Sequence, residues 1–126
     1  MAVSIDASKC IVWPVDSLVK VFPNAEAGSG SDVIAVDACR NEYTSGQLAV
    51  RASQRLSELR VSVSPLRHVG SGATGVEVAA RFVGYVPAKA NTPDTPETEL
   101  ICTAPCEVPD PLLLDEMVAV DAGRTQ

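Results

Sequence analysis

The sequence predicts an all-β fold built as an antiparallel β-sandwich, and three observations support this prediction. Apolar and polar residues alternate at period two in several short stretches, as in strands that place one face on a core. Eight glycines and nine prolines separate the stretches, which is typical of short strands joined by tight loops. With 126 residues, the chain is large enough to bury a core but has no room for two domains.

Four strands are predicted in the first half of the chain. Pro14 and Pro23 end the first two, because proline lacks the N–H that a strand ladder needs. A flexible segment of glycine and serine at residues 28–31 leads to the third strand. Residues 53–59 favour at most a turn or two of helix, which is weakly stable alone. The predicted strands span residues 11–13, 18–22, 33–38 and 48–52.

The second half contains the longest alternating stretch, at residues 76–86. Residues 91–111 hold five of the nine prolines, so an irregular excursion is predicted there. Shorter apolar stretches, also read as strands, lie at residues 59–64, 100–102, 112–114 and 117–120. At residues 123–126 a glycine precedes polar residues, a pattern that usually introduces a further strand. We therefore expect residues 1–126 to be a single sandwich domain, truncated before its last strands, from the N-terminal part of a longer multidomain protein.

The charge distribution argues against a nucleic-acid partner. The net charge is −6, and residues 90–126 hold eight acidic side chains against Arg124 alone. Such a segment repels phosphate backbones, and no lysine or arginine cluster lies elsewhere in the sequence. No stretch approaches the roughly 18 apolar residues that a membrane-spanning helix needs, and the N-terminus lacks the pattern of a signal peptide. Neither a nucleic acid nor a membrane is predicted as a partner.

The four cysteines do not follow the spacing of a metal site or of a multi-disulfide framework. Cys102 and Cys106 flank Thr-Ala-Pro, and a disulfide between them would close a small loop in an oxidising compartment. Cys10 and Cys39 fall in or beside strand patterns, where cysteine acts as a small apolar filler. Zinc needs four ligands, and His68 is the one histidine of the chain. No metal and no cofactor is predicted.

No group of residues in the sequence indicates catalysis. His68 lies near Ser71 in a glycine-rich stretch, but the GxSxG elbow of a hydrolase is absent, and a flexible turn explains the pair better. The glycines of residues 70–75 lack the lysine that follows a phosphate-binding loop. Asp115 and Glu116 are adjacent, so on a strand they would point to opposite faces, and a charged turn is favoured.

A polar run that follows the third predicted strand is the most distinctive local feature, and it is interpreted as a connection between two paired strands. Arg40 offers a planar fork for a carboxylate, and Glu42 is close enough to pair with it or to cap backbone donors. Asn41 tolerates a left-handed backbone, Tyr43 can bury its ring with its hydroxyl bonded, and Gln47 can bond across strands. The predicted structural or interface network consists of Arg40, Asn41, Glu42, Tyr43 and Gln47.

Several stretches of this sequence together resemble a known family. Residues 13–22 (WPVDSLVKVF) and residues 38–43 (ACRNEY), followed by Gln47, are similar to the N-terminal domain of glycoside hydrolase family 123 and its uncharacterised relatives. The similarity covers residues 10–123. Gly46 departs from it, since the resemblance implies a bulky apolar residue before the glutamine. Further similar stretches follow in the family's order at residues 61–66, 83–87 and 109–113.

The resemblance implies a sandwich that precedes a catalytic (β/α)-barrel in the same polypeptide. Family members of known activity hydrolyse β-linked N-acetylgalactosamine, with the acetamido group of the substrate as nucleophile. Their catalytic Asp-Glu pair lies in the barrel, so no catalytic residue is carried over and this chain alone is not expected to be an enzyme. The implied partner is the barrel domain, which the sandwich would support, and the implied location is periplasmic or extracellular.

Two other functions are compatible with the sequence. The first is a stand-alone carbohydrate-binding module, although aromatic residues make up only 4% of the chain and such modules stack sugars on exposed rings. The second is an immunoglobulin-like sandwich for adhesion or assembly that recognises protein through an exposed edge strand. An exposed edge also predicts self-association at high protein concentration.

Overall fold

The computed structural model describes residues 9–29 and 33–126. Within these residues the chain forms six β-strands and one short 3₁₀ turn at Glu97–Glu99. Every strand pair is antiparallel, so the predicted all-β antiparallel fold is confirmed, and its arrangement is that of a small β-sandwich-like domain. The strands are β1 (Cys10–Val15), β2 (Gln47–Ala52), β3 (Leu56–Arg60), β4 (Val83–Ala88), β5 (Cys106–Leu112) and β6 (Met117–Val120).

The six strands pair as three ladders, β1 with β2, β3 with β6 and β4 with β5. The last described residues extend the first ladder. The N–H of Val50 donates to the carbonyl of Gln126 at 2.7 Å, the N–H of Gln126 donates back at 2.8 Å, and Arg51 and Thr125 form an antiparallel bridge. Because backbone groups along a strand bond alternately to either side, residues 124–126 lie on the edge of β2 away from β1. The polar segment that was expected to introduce another strand is therefore itself paired.

The hydrophobic core lies where these ladders approach one another. Five of its six buried members belong to paired strands, and Phe82 directly precedes β4. Alternation at period two places Val50 and Ala52, on one face of β2, together in this cluster. Cys10 is buried there as predicted, whereas Cys39 is exposed and fills no core position. The cluster consists of Cys10, Val50, Ala52, Leu59, Phe82 and Val120.

Several predicted strands are wrong or too long. Residues 18–22 and 33–38 form no strand, and residues 100–102 contain only a bend. The strand predicted at residues 76–86 begins at Val83, and the one predicted at residues 59–64 ends at Arg60. A strand needs a partner in register as well as an alternating sequence, and a local pattern does not supply the partner.

Two further elements differ from the sequence-based expectation. β5 runs through Pro109 and Pro111, in the region predicted to be irregular. It pairs on one side only, with β4, and an edge strand tolerates proline where no N–H is needed. Residues 53–59, where at most a turn or two of helix was predicted, contain no helix; residues 56–59 belong to β3, and Leu59 is buried in the core.

Candidate functional site

An open cleft of about 340 Å³ lies where the ends of β3, β4 and β6 approach one another. β3 ends at Arg60, β4 follows Phe82, and β6 begins at Met117. Arg60 is opposite Met117 in the β3–β6 ladder, which brings residues 115–116 beside the end of β3. The cleft is lined by Arg60, Val61, Ser62, Ala80, Arg81, Phe82, Asp115 and Glu116.

Two arginines and two carboxylates face this cleft, and all four side chains are exposed: Arg60, Arg81, Asp115 and Glu116. None of the four forms an ion pair with any described residue. Arg60 instead places Nη2 at 3.1 Å from the Sδ atom of Met117. Most of the guanidinium donors and carboxylate acceptors are therefore available to bond a molecule in the cleft.

Asp115 and Glu116 both lie in the connection between β5 and β6 and not on a strand, as the charged-turn interpretation requires. The alternation of side chains along a strand does not apply there, and both residues line the cleft. Ser62 provides the one hydroxyl of the lining, and no histidine lines the cleft beside it. A net-neutral lining with open donors and acceptors suits the binding of a neutral polar molecule.

His68 and Ser71 lie at the tip of an extended ribbon, which we define as residues 61–82. His68 Nδ1 is 3.0 Å from Ser71 Oγ, but the same nitrogen accepts the Ser71 N–H at 3.1 Å. The N–H of Ala73 donates to Ser71 Oγ at 3.3 Å, and no carboxylate among the described residues bonds to His68. These bonds close the turn of the ribbon, and they do not assemble a catalytic triad.

The predicted polar network divides into separate parts, of which the first is a tight turn at residues 39–42. Asn41 adopts φ of 62°, the left-handed conformation that asparagine tolerates. The N–H of Glu42 donates to the carbonyl of Cys39 at 3.3 Å, and the carboxylate of Glu42 accepts the N–H of Cys39. Glu42 thus caps a backbone donor and forms no ion pair with Arg40.

The other members of the predicted network do not join this turn. Arg40 is exposed and forms no ion pair within residues 9–29 and 33–126. The ring of Tyr43 is fully exposed and not buried as the sequence allowed. Gln47 Nε2 donates to the carbonyl of Val19 at 2.9 Å and so links β2 to residues 16–20. The glycine before it is explained by packing, because a Cβ on Gly46 would lie 2.5 Å from Cγ2 of Ile34.

Cys102 and Cys106 are joined by a disulfide with an S–S distance of 2.06 Å. Cys106 is the first residue of β5, and the N–H of Ala104 within the loop donates to Asn91 Oδ1 at 2.7 Å. The disulfide therefore closes a small loop that is also tied to residue 91, next to the start of a strand.

The densest polar cluster of the described residues surrounds Thr125, which is 1% exposed. Its Oγ1 donates to the carbonyl of Ala25 at 2.7 Å, while Arg51 Nη1 donates to the same carbonyl at 2.7 Å and to Thr125 Oγ1 at 3.3 Å. Arg51 also forms an ion pair with Glu26 at 3.4 Å. We call this cluster the C-terminal clasp: Arg51, Tyr85, Thr125 and Gln126.

Tyr85 and Gln126 connect the clasp to β4. The Tyr85 hydroxyl donates to the carbonyl of Thr125 at 2.9 Å, and Gln126 Nε2 donates to the carbonyl of Val83 at 2.6 Å. Burial raises the pKa of the Tyr85 phenol above 10.0; Arg124 opposes this shift and Glu107 adds to it. The clasp therefore holds β2, β4 and residues 23–25 together through the end of the chain.

Sequence reasoning missed this clasp. Arg51 lies in a stretch that alternates as a strand, and Thr125 lies in a short polar segment. The bond between them joins residues 74 positions apart, and no periodic pattern encodes such a separation. A local signal is Gly123, two residues before Thr125, which adopts φ of 77° in a turn.

Comparisons with known proteins do not identify a relative. No protein-family model matches the chain, and no curated protein is significantly similar to it. The described residues include no helix that could span a bilayer, and they bring together no set of three or more side chains suited to holding a metal ion. The functional conclusion accordingly rests on the geometry of the described residues and on the resemblance in sequence.

Proposed function

We propose that this chain is a non-catalytic β-sandwich domain of a glycoside-hydrolase-like protein, and that it packs against and supports a catalytic (β/α)-barrel of the same polypeptide. One observation carries the proposal. The chain exposes 9468 Å², whereas a compact folded monomer of its 13.2 kDa exposes roughly 6,400 Å². Surface left uncovered to this extent suits a domain that completes its burial against a neighbour.

Large apolar side chains account for part of that surface. Leu18 is 92% exposed and Leu114 is 81% exposed, although each would contribute about 1.5 to 3 kcal/mol when fully buried. Single exposed leucines are common, but here many large apolar residues are exposed on a small domain, among them Val69 and Ile101. Burial against another domain would remove them from water.

The nature of the neighbour is proposed from the family resemblance. Residues 13–22 and 38–43 carry that resemblance, and the family places a catalytic barrel after the sandwich. The proposal assigns catalysis to that barrel and a supporting role to this chain. The isolated chain is accordingly expected to leave an aryl β-N-acetylgalactosaminide intact, and turnover that survives repurification would contradict the proposal.

The docking part of the proposal is tested by hydrogen exchange on the chain alone and on the full polypeptide that its locus encodes. We expect the amides around Leu18 and Leu114 to exchange at least about tenfold more slowly in the full polypeptide. The amide of Val50, already bonded to Gln126, provides the internal control and should change little. Equal exchange in both forms would contradict docking, and a locus without a barrel would contradict the family assignment.

A second candidate function, carbohydrate binding, is favoured by the cleft. Arg60 and Arg81 offer guanidinium donors, and Asp115 and Glu116 offer carboxylate acceptors, with no ion pair among them. Vicinal hydroxyls of a saccharide donate and accept at once, so they match a mixed lining better than a phosphate or a cation would.

The carbohydrate candidate is tested by titrating the chain with N-acetylgalactosamine while recording amide shifts by NMR. Shifts confined to residues 60–62, 80–82 and 115–116 are expected, and Glu116→Gln should weaken binding several-fold. Glu97→Gln, an equivalent change at an exposed position of the 3₁₀ turn, is the matched control. The absence of shifts at millimolar sugar would exclude this function.

A further inference from the structure

The ribbon of residues 61–82 contains no strand, and most of its backbone has no partner within the described structure. It turns back on itself at its tip, where the N–H of His68 donates to the carbonyl of Ala73 at 2.9 Å and the N–H of Gly72 donates to the carbonyl of His68 at 2.7 Å. Residues 60–62 and 80–82 line the same cleft at its base, so the two arms run antiparallel. Every residue from 64 to 81 is exposed.

Two hydrogen bonds mark the two sides of the second arm. The carbonyl of Ala73 accepts from His68, on the first arm, whereas the carbonyl of Phe82 accepts the N–H of Leu113 at 2.8 Å, away from it. Backbone groups of a β-strand alternate sides, so when this arm pairs as a strand, its even-numbered residues share the outward side with Phe82. In the described structure, no backbone partner reaches the outward groups of Thr74, Val76, Val78 and Ala80.

The sequence of this outward edge is complementary to itself. When two copies lie antiparallel with Ala79 on the two-fold axis, Glu77 of each copy is opposite Arg81 of the other. On the other face, Val78 is opposite Ala80, while Phe82 is buried in the core of its own chain and bonded to Leu113, and so lies outside the pairing. Neither Glu77 nor Arg81 forms an ion pair with a described residue of its own chain.

We propose that two copies of this chain form an antiparallel β-pair along residues 77–81, with Ala79 on the two-fold axis. Val78 and Ala80 exchange backbone hydrogen bonds across the axis, and Ala79 faces its own counterpart in a pair without hydrogen bonds, where Cα atoms are about 4.5 Å apart. The two Glu77–Arg81 contacts fix the register, because other registers leave these charges unmatched. This pairing goes beyond the proposed docking on a barrel and does not depend on it.

A charge-reversal series tests the register by sedimentation of the chain over a range of concentrations. Glu77→Lys, and separately Arg81→Glu, places like charges opposite each other twice and should weaken dimerisation roughly tenfold. The double variant E77K/R81E should restore the wild-type association. Glu58→Lys, which makes the same charge change on exposed β3, should leave the dimer unchanged.

A cysteine scan tests the axis directly in a Cys39→Ser background, which removes an exposed thiol. Ala79→Cys should oxidise to a covalent dimer, because the two thiols meet across the axis. Gly75→Cys places its thiols roughly 27 Å apart in this register and should stay uncrosslinked. Three results would overturn the proposal: a wild-type chain that is monomeric at every concentration, a dimer insensitive to Glu77→Lys, or equal crosslinking at positions 75 and 79. If the chain is strictly monomeric, the edge is available to a strand of another protein.

Discussion

The C-terminal clasp and the ribbon differ in burial and in how many of their backbone groups are hydrogen-bonded within the chain. Thr125 is almost fully buried and takes part in hydrogen bonds to Ala25, Arg51 and Tyr85, while both its neighbours in the chain pair with β2. The ribbon is exposed from residue 64 to residue 81, and its internal backbone bonds are confined to the tip. The two segments differ in whether their backbone groups have partners within the chain.

The comparison shows that an alternating, strand-like sequence and a paired strand are separate properties. A backbone N–H that is not paired in the fold must bond to water or to another chain. In the clasp, side chains and backbone from three distant segments meet these requirements inside the molecule. In the ribbon, the outward N–H and C=O groups of residues 74–80 have no backbone partner in the described structure, so this edge can pair with a second strand.

The largest expected difference between the two regions is in amide hydrogen exchange. The amides of Val50, Ala52 and Gln126, which are bonded within the β2 ladder, should exchange at least about 100-fold more slowly than those of Val76 and Val78. The measurement requires dilute protein, because dimerisation along the ribbon would protect Val78. Uniform exchange across both regions would mean that the clasp is not a stable unit.

The sequence was sufficient to predict strands whose partners lie in the same core. Residues 48–52 alternate, residues 117–120 are apolar throughout, and the two stretches match β2 and β6 closely. Residues 33–38 alternate equally well and form no strand. The two cases differ only in whether a partner lies alongside, and pairing depends on contacts that are distant in the sequence.

The candidate sites show the same limit of prediction. The turn at Asn41 and Glu42 could be predicted from the sequence, because the left-handed asparagine and the capping carboxylate contact residues at most three positions away. The cleft and the clasp could not be predicted from the sequence. Asp115 approaches the end of β3 only through the β3–β6 register, and Thr125 is buried only through pairing with β2.

An intermediate effect is expected when the clasp loses one hydroxyl. Thr125→Val keeps the shape of the side chain but removes the bond to Ala25 and the acceptor for Arg51, so the free energy of unfolding should fall by about 1 to 3 kcal/mol. Urea unfolding followed by the fluorescence of Trp13, which is buried, measures this change.

Ser71→Ala is the matched hydroxyl deletion in the ribbon. Ser71 bonds to His68 and Ala73 at an exposed turn, so its loss should change the free energy of unfolding by less than about 0.5 kcal/mol. Equal effects at positions 71 and 125 would show that the clasp carries no more of the stability than the ribbon tip does.

The loss of the Tyr85 hydroxyl is expected to have an effect at the lower end of the range given for Thr125→Val, and its pH dependence identifies the cause. Tyr85→Phe removes the bond to the carbonyl of Thr125 and should lower the free energy of unfolding by about 1 kcal/mol at neutral pH.

Burial raises the pKa of Tyr85 in the folded state above 10.0, so the folded chain holds this proton more tightly than the unfolded chain does. The contribution of the phenol is therefore complete below pH 10 and decreases as the pH rises through the folded pKa. The stability gap between wild type and Tyr85→Phe should accordingly narrow above about pH 10, whereas Tyr43→Phe, which alters a fully exposed ring, should match wild type throughout. A gap that stays constant from neutral to alkaline pH would show that the Tyr85 hydroxyl is not held in the clasp.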